Sequence, residues 1–145
     1  MLAVGSKAPA FRVKDHLGRE VSLADLAGKN VILWFYPKAD TPGCTIEGCG
    51  YRDLSGDFEK KNAVILGVSF DTIEENAAFA AKMQFPYRLL CDTDRAIGMA
   101  YGACSKPTDA SARRISYIIG PDGSIKQSYP KVDTKSHPAE VLKAL

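Results

Sequence analysis

The stretch VILWFYPKADTPGCTIEGC spans residues 31–49 and carries the strongest structural signal in the chain. Its first six residues are continuously apolar, which is typical of a strand buried on both faces of a parallel sheet that helices cover. A strand-to-helix turn should follow, because Thr41 suits a helix N-cap and Pro42 the first helical position, which puts Cys44 in the first turn. Ligands of open α/β sheets bind outside the carboxyl ends of the strands, so this turn is the expected place for a site.

Further elements are predicted on both sides of this stretch. A second apolar run predicts another buried strand, and Thr72 with Glu75 forms a capping-box pattern that begins a helix. The predicted elements are a small N-terminal hairpin (11–13 and 20–23), strands at 31–36, 64–70 and 87–91, helical segments at 46–58, 72–83 and 95–101, a hairpin at 115–119 and 124–129, and a helix from Ser136 to Leu145. This order predicts the α/β class: a thioredoxin-like fold with a central mixed sheet flanked by helices and an extra N-terminal hairpin.

Length and composition exclude several classes of protein. At 145 residues, with no repeat or linker, the chain is expected to form one domain over residues 1–145. A net charge of +2 and no basic block longer than two residues argue against a nucleic-acid partner. No apolar run approaches the roughly 20 residues that span a bilayer, so no membrane association is expected. Four cysteines without a secretory signal predict a cytoplasmic protein whose thiols are catalytic or metal-binding.

Cys44 is the candidate nucleophile. In the first turn of a helix, unpaired backbone amides and the helix dipole favour a thiolate over a thiol. A thiolate is the reactive form of cysteine, so a residue placed there can attack an electrophile at neutral pH. The alternative is that Cys44 serves as a small buried hydrophobe, although the first turn after an apolar strand is a poor place for one.

Cys49 lies five positions after Cys44. Five helical residues advance about 7.5 Å and rotate about 140°, so the two sulfurs point apart and exceed the roughly 7 Å between Cα atoms that a disulfide allows. The thiols can therefore pair only if the helix unwinds. Gly43, Gly48 and Gly50 favour unwinding, since each lowers helix propensity by about 1 kcal/mol relative to alanine; close packing is the other explanation for these glycines.

The motif Pro37-x-x-x-Thr41-x-x-Cys44 resembles the active-site signature of the peroxiredoxins. The string from Phe35 to Thr45, followed by Cys49, is similar to the peroxiredoxin Q branch, also called bacterioferritin comigratory protein. The likeness extends over nearly the whole chain. It includes Gly5-x-x-Ala-Pro-x-Phe11, Gly67-Val-Ser-x-Asp71, Leu89 to Asp94, and Arg114-Ile-Ser-Tyr-Ile-Ile119 before Pro121-Asp-Gly123.

This resemblance implies a catalytic mechanism. Cys44 would attack the terminal oxygen of hydrogen peroxide or an organic hydroperoxide and become a sulfenic acid. Thr41 would offer its hydroxyl to the thiolate and the peroxide, and Pro37 would pack over the thiolate. Arg114 would stabilise the thiolate and the charge that develops on the peroxide oxygens. Glu47 would hold this arginine in place. The resemblance implies no cofactor.

The same resemblance implies that Cys49 is the resolving cysteine. It would form an intramolecular disulfide with Cys44, which thioredoxin or a similar dithiol would reduce. Cys104 is a competing candidate, because some relatives carry the resolving thiol later in the chain. Cys91, at the end of an apolar strand, is expected to serve packing. An intrachain disulfide needs no second subunit, so we expect a monomer.

Two adjacent arginines, Arg113 and Arg114, could supply the cation. On a strand their side chains point to opposite sides, so only one can reach the pocket. The match to the Arg-Ile-Ser motif favours Arg114 and leaves Arg113 as a solvated charge.

Two other classes of function fit less well. A thioredoxin-fold metallochaperone would need closely spaced ligands, but the chain has no Cys-x-x-Cys pair, and His16 and His137 are expected at the surface. A thioredoxin-fold redox sensor without peroxidase turnover also remains open on sequence grounds. Catalytic consumption of peroxide with a dithiol reductant separates these classes from an enzyme.

Overall fold

The computed structural model describes residues 1–145, which form two sheets, five α-helices and one 3-10 helix. The elements are β1 (Arg12–Lys14), β2 (Glu20–Ser22), a 3-10 helix (Leu23–Leu26), β3 (Asn30–Phe35), α1 (Pro42–Asp53), α2 (Ser55–Lys60), β4 (Ala63–Ser69), α3 (Ile73–Met83), β5 (Arg88–Cys91), α4 (Ala96–Ala100), β6 (Ser116–Ile119), β7 (Ile125–Tyr129) and α5 (His137–Lys143). Every predicted strand is present within one or two residues of its expected bounds.

The central sheet has five strands in the order β5-β4-β3-β6-β7. Strands β3, β4 and β5 are parallel to one another, whereas β6 pairs antiparallel with both β3 and β7. Strands β1 and β2 form the separate N-terminal hairpin. The carboxyl ends of the three parallel strands therefore open at one edge, and the turn from β3 to α1 lies at that edge.

Strand β3 is buried on both faces, as its apolar run predicts. Successive side chains alternate between two hydrophobic cores because a strand points neighbouring residues to opposite sides. The first core contains Val31, Leu33 and Phe35, and the second contains Ile32, Trp34 and Tyr36. Helices α1, α2, α3 and α5 contribute side chains to the second core, and α4 and the N-terminal segment contribute to the first. The sheet thus separates two packed layers.

Helix α3 begins as its sequence predicts. The Thr72 hydroxyl accepts a hydrogen bond from the Glu75 amide at 3.2 Å, and the Glu75 carboxylate accepts one from the Thr72 amide at 3.0 Å. Both bonds of the capping box are therefore formed.

The helical segment predicted at 46–58 is two helices. Helix α1 ends at Asp53, Leu54 lies between the helices, and α2 begins at Ser55. Periodicity alone misses this break because Leu54 and Phe58 keep the apolar spacing across it. The weak helix formers Ser55 and Gly56 follow this break directly.

The expectation that His137 lies at the surface is wrong. Its side chain is 1% exposed and packs edge-on against the Tyr129 ring, with the two centroids 4.8 Å apart. Burial follows from the packing of α5 on α1, where Pro138 contacts Gly50. His16 is half-buried and its Nδ1 accepts a hydrogen bond from the Leu89 amide at 3.1 Å.

No helix in the structure is both long enough and apolar enough to span a bilayer.

Candidate active site

The turn from β3 to α1 has the predicted form. Thr41 has extended backbone angles and occupies the N-cap position, with Pro42 as the first helical residue. The Thr41 side chain does not cap the helix, because its hydroxyl donates to the Lys38 carbonyl at 2.7 Å. The leading amides of α1 are therefore available to a negatively charged group.

Cys44 lies in the first turn of α1 and is fully buried. The Nη2 atom of Arg114 is 3.5 Å from the Cys44 Sγ atom, although the two residues are 70 positions apart in the chain. Burial alone would lower the pKa of Arg114, but Cys44 and the Glu47 carboxylate outweigh burial and raise that pKa. The guanidinium is therefore a permanent cation beside the sulfur.

Glu47 lies one helical turn after Cys44 and is also fully buried. Its Oε1 atom accepts a hydrogen bond from Arg114 Nη1 at 3.1 Å, while Oε2 has no partner. Burial raises the pKa of Glu47 to about 7, even though the hydrogen bond from Arg114 opposes this shift. Arg114 thus contacts both the Cys44 sulfur and the Glu47 carboxyl group.

Arg113 points away from this site. Its Nη1 atom donates to the Gly102 carbonyl at 3.1 Å, and its Nη2 atom donates to the Ser105 hydroxyl. Of the two adjacent arginines, the fold brings only Arg114 to Cys44.

Cys49 lies further along the same intact helix and is half-buried. Its Sγ atom is 3.8 Å from the sulfur of Met83, the last residue of α3. Cys44 and Cys49 are both free thiols in this conformation. Pro37 is half-buried and follows the end of β3 by two residues, at the start of the loop that leads to Thr41.

The other two cysteines lie elsewhere. Cys104 packs in the first core, whereas Cys44 belongs to the second, so the central sheet lies between their sulfurs. Cys91 is buried and accepts a hydrogen bond from the Asn76 amide nitrogen at 3.4 Å.

The three glycines of α1 are all close-packed. A Cβ atom at Gly43 would lie 2.9 Å from Arg114 Nη2, and one at Gly48 would lie 2.5 Å from the ring of Phe85. At Gly50 it would lie 2.8 Å from Pro138. Close packing, which the sequence left as the alternative explanation, therefore applies to all three positions.

Sequence reasoning assigned no role to Asp71. Its buried carboxylate accepts a hydrogen bond from the Ala39 amide at 2.8 Å and pairs with Lys38 at 2.5 Å. Both partners belong to the loop between β3 and Thr41. The available signal was the Gly67-Val-Ser-x-Asp71 motif, which carries part of the family resemblance but indicates no partner.

No group of three or more His, Cys, Asp or Glu side chains is arranged to hold a metal ion.

A buried sulfur beside a fixed guanidinium and free helix amides is suited to attack a small molecule that accepts charge as a bond breaks. On a thioredoxin-like sheet, at the carboxyl edge of its parallel strands, this chemistry defines a thiol peroxidase.

Comparison with known proteins assigns the family. Residues 4–128 match the AhpC/TSA family, and the chain belongs to it. A putative peroxiredoxin Bcp of Coxiella burnetii is 39% identical over 146 residues, which cover 97% of each chain. The peroxiredoxin Bcp of Bacillus subtilis is 35% identical over 149 residues, covering 99% of this chain and 95% of the relative.

Among solved structures, the bacterioferritin comigratory protein of Xanthomonas campestris, described for its alkyl peroxide reduction activity, superposes with a TM-score of 0.90. It is 30% identical, and the match covers 98% of this chain and 96% of that protein. The predicted thioredoxin-like fold and the predicted peroxiredoxin Q branch are thereby confirmed, and with them the prediction of a thiol-dependent peroxidase.

Proposed function

We propose that this enzyme reduces hydrogen peroxide and organic hydroperoxides through Cys44. The thiolate attacks the terminal peroxide oxygen, the O–O bond breaks, and the leaving oxygen takes up a proton to become water or an alcohol. Cys44 is oxidised to a sulfenic acid. The observation that carries this proposal is the 3.5 Å contact between Arg114 and the Cys44 sulfur, which places a cation where negative charge moves during the reaction.

Thr41 and Pro37 would complete the peroxide site. The Thr41 hydroxyl donates to Lys38, so its lone pairs remain free to accept a hydrogen bond from the peroxide O–H group. Pro37 lacks an amide hydrogen and is half-buried at the start of the same loop, so it would shield the sulfur from water.

Cys49 would resolve the sulfenic acid. Its thiol displaces water from the oxidised Cys44, and a disulfide forms between them. The intact α1 helix keeps the two residues apart, so the helix must unwind and Cys49 must leave Met83 before the bond can form. Cys104 is a weaker candidate because the central sheet separates it from Cys44.

Thioredoxin or a similar dithiol would reduce this disulfide and restore both thiols. We further propose that the enzyme acts as a monomer in the cytoplasm. A disulfide within one chain needs no second subunit, and a reducing compartment keeps the four cysteines available as thiols.

Steady-state peroxide consumption with thioredoxin, thioredoxin reductase and NADPH tests the proposal. Cys44→Ser should abolish turnover. Cys49→Ser should still reduce one equivalent of peroxide but should not turn over with thioredoxin. Cys104→Ala, the matched control, should keep the wild-type rate.

Two outcomes would contradict these assignments. Full activity in Cys44→Ser would remove the nucleophile, and a Cys44–Cys104 disulfide in peptide maps of the oxidised protein would remove Cys49 as the resolving residue. Stoichiometric oxidation of the wild type without turnover would favour the redox sensor.

A further inference from the structure

Asp71 lies at the same edge of the sheet as Cys44, in the loop that connects β4 to α3. It follows β4 by two residues, and its side chain is only 2% exposed. A buried carboxylate needs partners that compensate for the loss of water. Its partners are therefore the first guide to what Asp71 does.

Both carboxylate oxygens of Asp71 contact the loop that precedes α1. Oδ2 accepts the Ala39 amide at 2.8 Å and Oδ1 pairs with the Lys38 ammonium at 2.5 Å. The Lys38 carbonyl in turn accepts the Thr41 hydroxyl at 2.7 Å. Asp71 is thus connected to Thr41 through the backbone of Lys38.

The loop held by Asp71 has an unfavourable backbone conformation. Asp40, between Ala39 and Thr41, has a φ of 60°, in the left-handed region that residues other than glycine seldom adopt. Such a conformation persists only where surrounding contacts enforce it. Asp71 contacts Lys38 and Ala39, the two residues that immediately precede Asp40 in the chain.

Asp71 is itself fixed in position. Its amide donates to the Ser69 hydroxyl at 3.3 Å, and Asn76 donates to the same hydroxyl at 3.2 Å. The Tyr36 hydroxyl donates to Asn76 at 2.6 Å. These buried bonds join the ends of β3 and β4 to α3, so the carboxylate is attached to a rigid support.

We propose that Asp71 is a positioning residue for peroxide reduction, which holds residues 37–41 so that Pro37 and Thr41 face the peroxide bound at Cys44. Asp71 does not touch the peroxide. The proposal rests on the proposed function. It adds Asp71, from the loop after β4, to the active-site residues that α1 and Arg114 supply.

The second-order rate of Cys44 oxidation by hydrogen peroxide measures this role. Asp71→Ala removes both contacts and should lower the rate by up to about a hundredfold, the cost that misplacement of a reacting group by about 1 Å can have. Asp71→Asn keeps an oxygen for the Ala39 amide and should recover part of this loss. Lys38→Met removes the ion pair with Asp71, together with the exposed ion pair that Lys38 makes with Glu75, and should match Asp71→Asn.

The rate of Cys44 alkylation by iodoacetamide across the neutral pH range distinguishes a misplaced 37–41 loop from a general disturbance of the structure around Cys44. Alkylation depends on the thiolate, which Arg114 and the α1 amides stabilise, whereas the Thr41 hydroxyl donates its hydrogen to the Lys38 carbonyl and not to the sulfur. The Asp71 variants should therefore keep the wild-type alkylation profile while they lose peroxide rate. A parallel fall in both rates would show a structural effect and overturn the proposal.

Asp15 provides the matched control. It is fully buried, accepts the Leu17 and Arg19 amides at 2.9 Å each and pairs with Arg88, but it lies in the N-terminal hairpin. Asp15→Ala should lose stability and keep the wild-type peroxide rate.

Wild-type peroxide rates in Asp71→Asn and Lys38→Met would overturn the proposal even if Asp71→Ala failed to fold. They would leave the proposed function intact, because that function fails if the wild type does not turn over peroxide or if Cys44→Ser keeps full activity.

Discussion

At the scale of single residues, burial determines the chemistry around Cys44. The sulfur, the Glu47 carboxyl and part of the Arg114 guanidinium are removed from water together, so each must find its partner within the protein. Arg114 contacts the Glu47 carboxyl group through Nη1 and the Cys44 sulfur through Nη2. Its position is therefore set before a peroxide arrives, which is the condition for electrostatic catalysis.

Glu47 gives a prediction about pH and stability. Burial raises the pKa of Glu47 from 4.5 to about 7 in the folded state. Between these values the folded protein binds the proton more tightly than the unfolded chain, so stability should fall as pH rises through this window. The shift corresponds to at most about 3 kcal/mol. Denaturant unfolding of Glu47→Gln at a series of pH values should show a flatter dependence than the wild type.

The control for this titration is Glu59→Gln, which alters an exposed carboxylate and should keep the wild-type pH dependence. If Glu47→Gln also kept it, Glu47 would not be the group whose proton uptake changes on folding.

Only some of the candidate site residues could be predicted from the sequence. Cys44 could be predicted because its position depends on a local turn. The choice of Arg114 over Arg113 came from the family resemblance, since the sequence alone does not show which of two adjacent arginines faces the pocket. The contact of Asp71 with Ala39 joins two loops, and no local pattern in the chain specifies it.

At the scale of secondary-structure elements, α1 has two opposed requirements. It must remain helical to present its leading amides to Cys44, and the resolution step that we propose for Cys49 requires it to unwind. Contacts along its second half oppose unwinding: Tyr87 donates its hydroxyl to the Gly48 carbonyl at 2.8 Å, and Arg52 donates to the Met83 carbonyl at 2.9 Å. The stability of these contacts should set the rate of resolution.

Tyr87→Phe tests this relation. Loss of one hydrogen bond, about 1 kcal/mol, should favour the unwound helix and speed formation of the Cys44–Cys49 disulfide by up to about fivefold. Oxidation of Cys44 itself should keep its wild-type rate, because the first turn is unchanged. Stopped-flow fluorescence and mass spectrometry of the quenched protein follow the two steps separately. Slower disulfide formation in this variant would contradict the relation.

Most elements could be predicted because their signals are local. Apolar runs marked the buried strands, and the capping box at Thr72 marked the start of α3. The break at Leu54 was missed because the apolar spacing continues across it. The 3-10 helix at Leu23–Leu26 was missed because four residues are too short to show a period.

At the scale of the whole molecule, the sheet brings distant parts of the chain to one edge. Strand β3 leads to Cys44, the loop after β4 supplies Asp71, and the segment before β6 supplies Arg114. The antiparallel pairing of β3 with β6 places the start of β6 beside the end of β3, where α1 begins. The order of elements predicted the mixed sheet, but the close approach of Arg114 to Cys44 depends on tertiary packing.

The same topology explains why His137 was misplaced by sequence reasoning. A residue before a proline near the end of the chain has no local signal for burial. It is buried because α5 packs against α1, and Gly50 leaves room for Pro138 at that contact.

We propose that the pairing of Cys44 with Arg114 drives peroxide reduction. The second-order rate of Cys44 oxidation by hydrogen peroxide tests it in two adjacent variants. Arg114→Ala should lower this rate by about a hundredfold to a thousandfold, the range seen when one preorganised electrostatic contact is removed. Arg113→Ala should keep the wild-type rate, because its guanidinium bonds to Gly102 and Ser105. A loss of rate confined to Arg113→Ala would contradict the account.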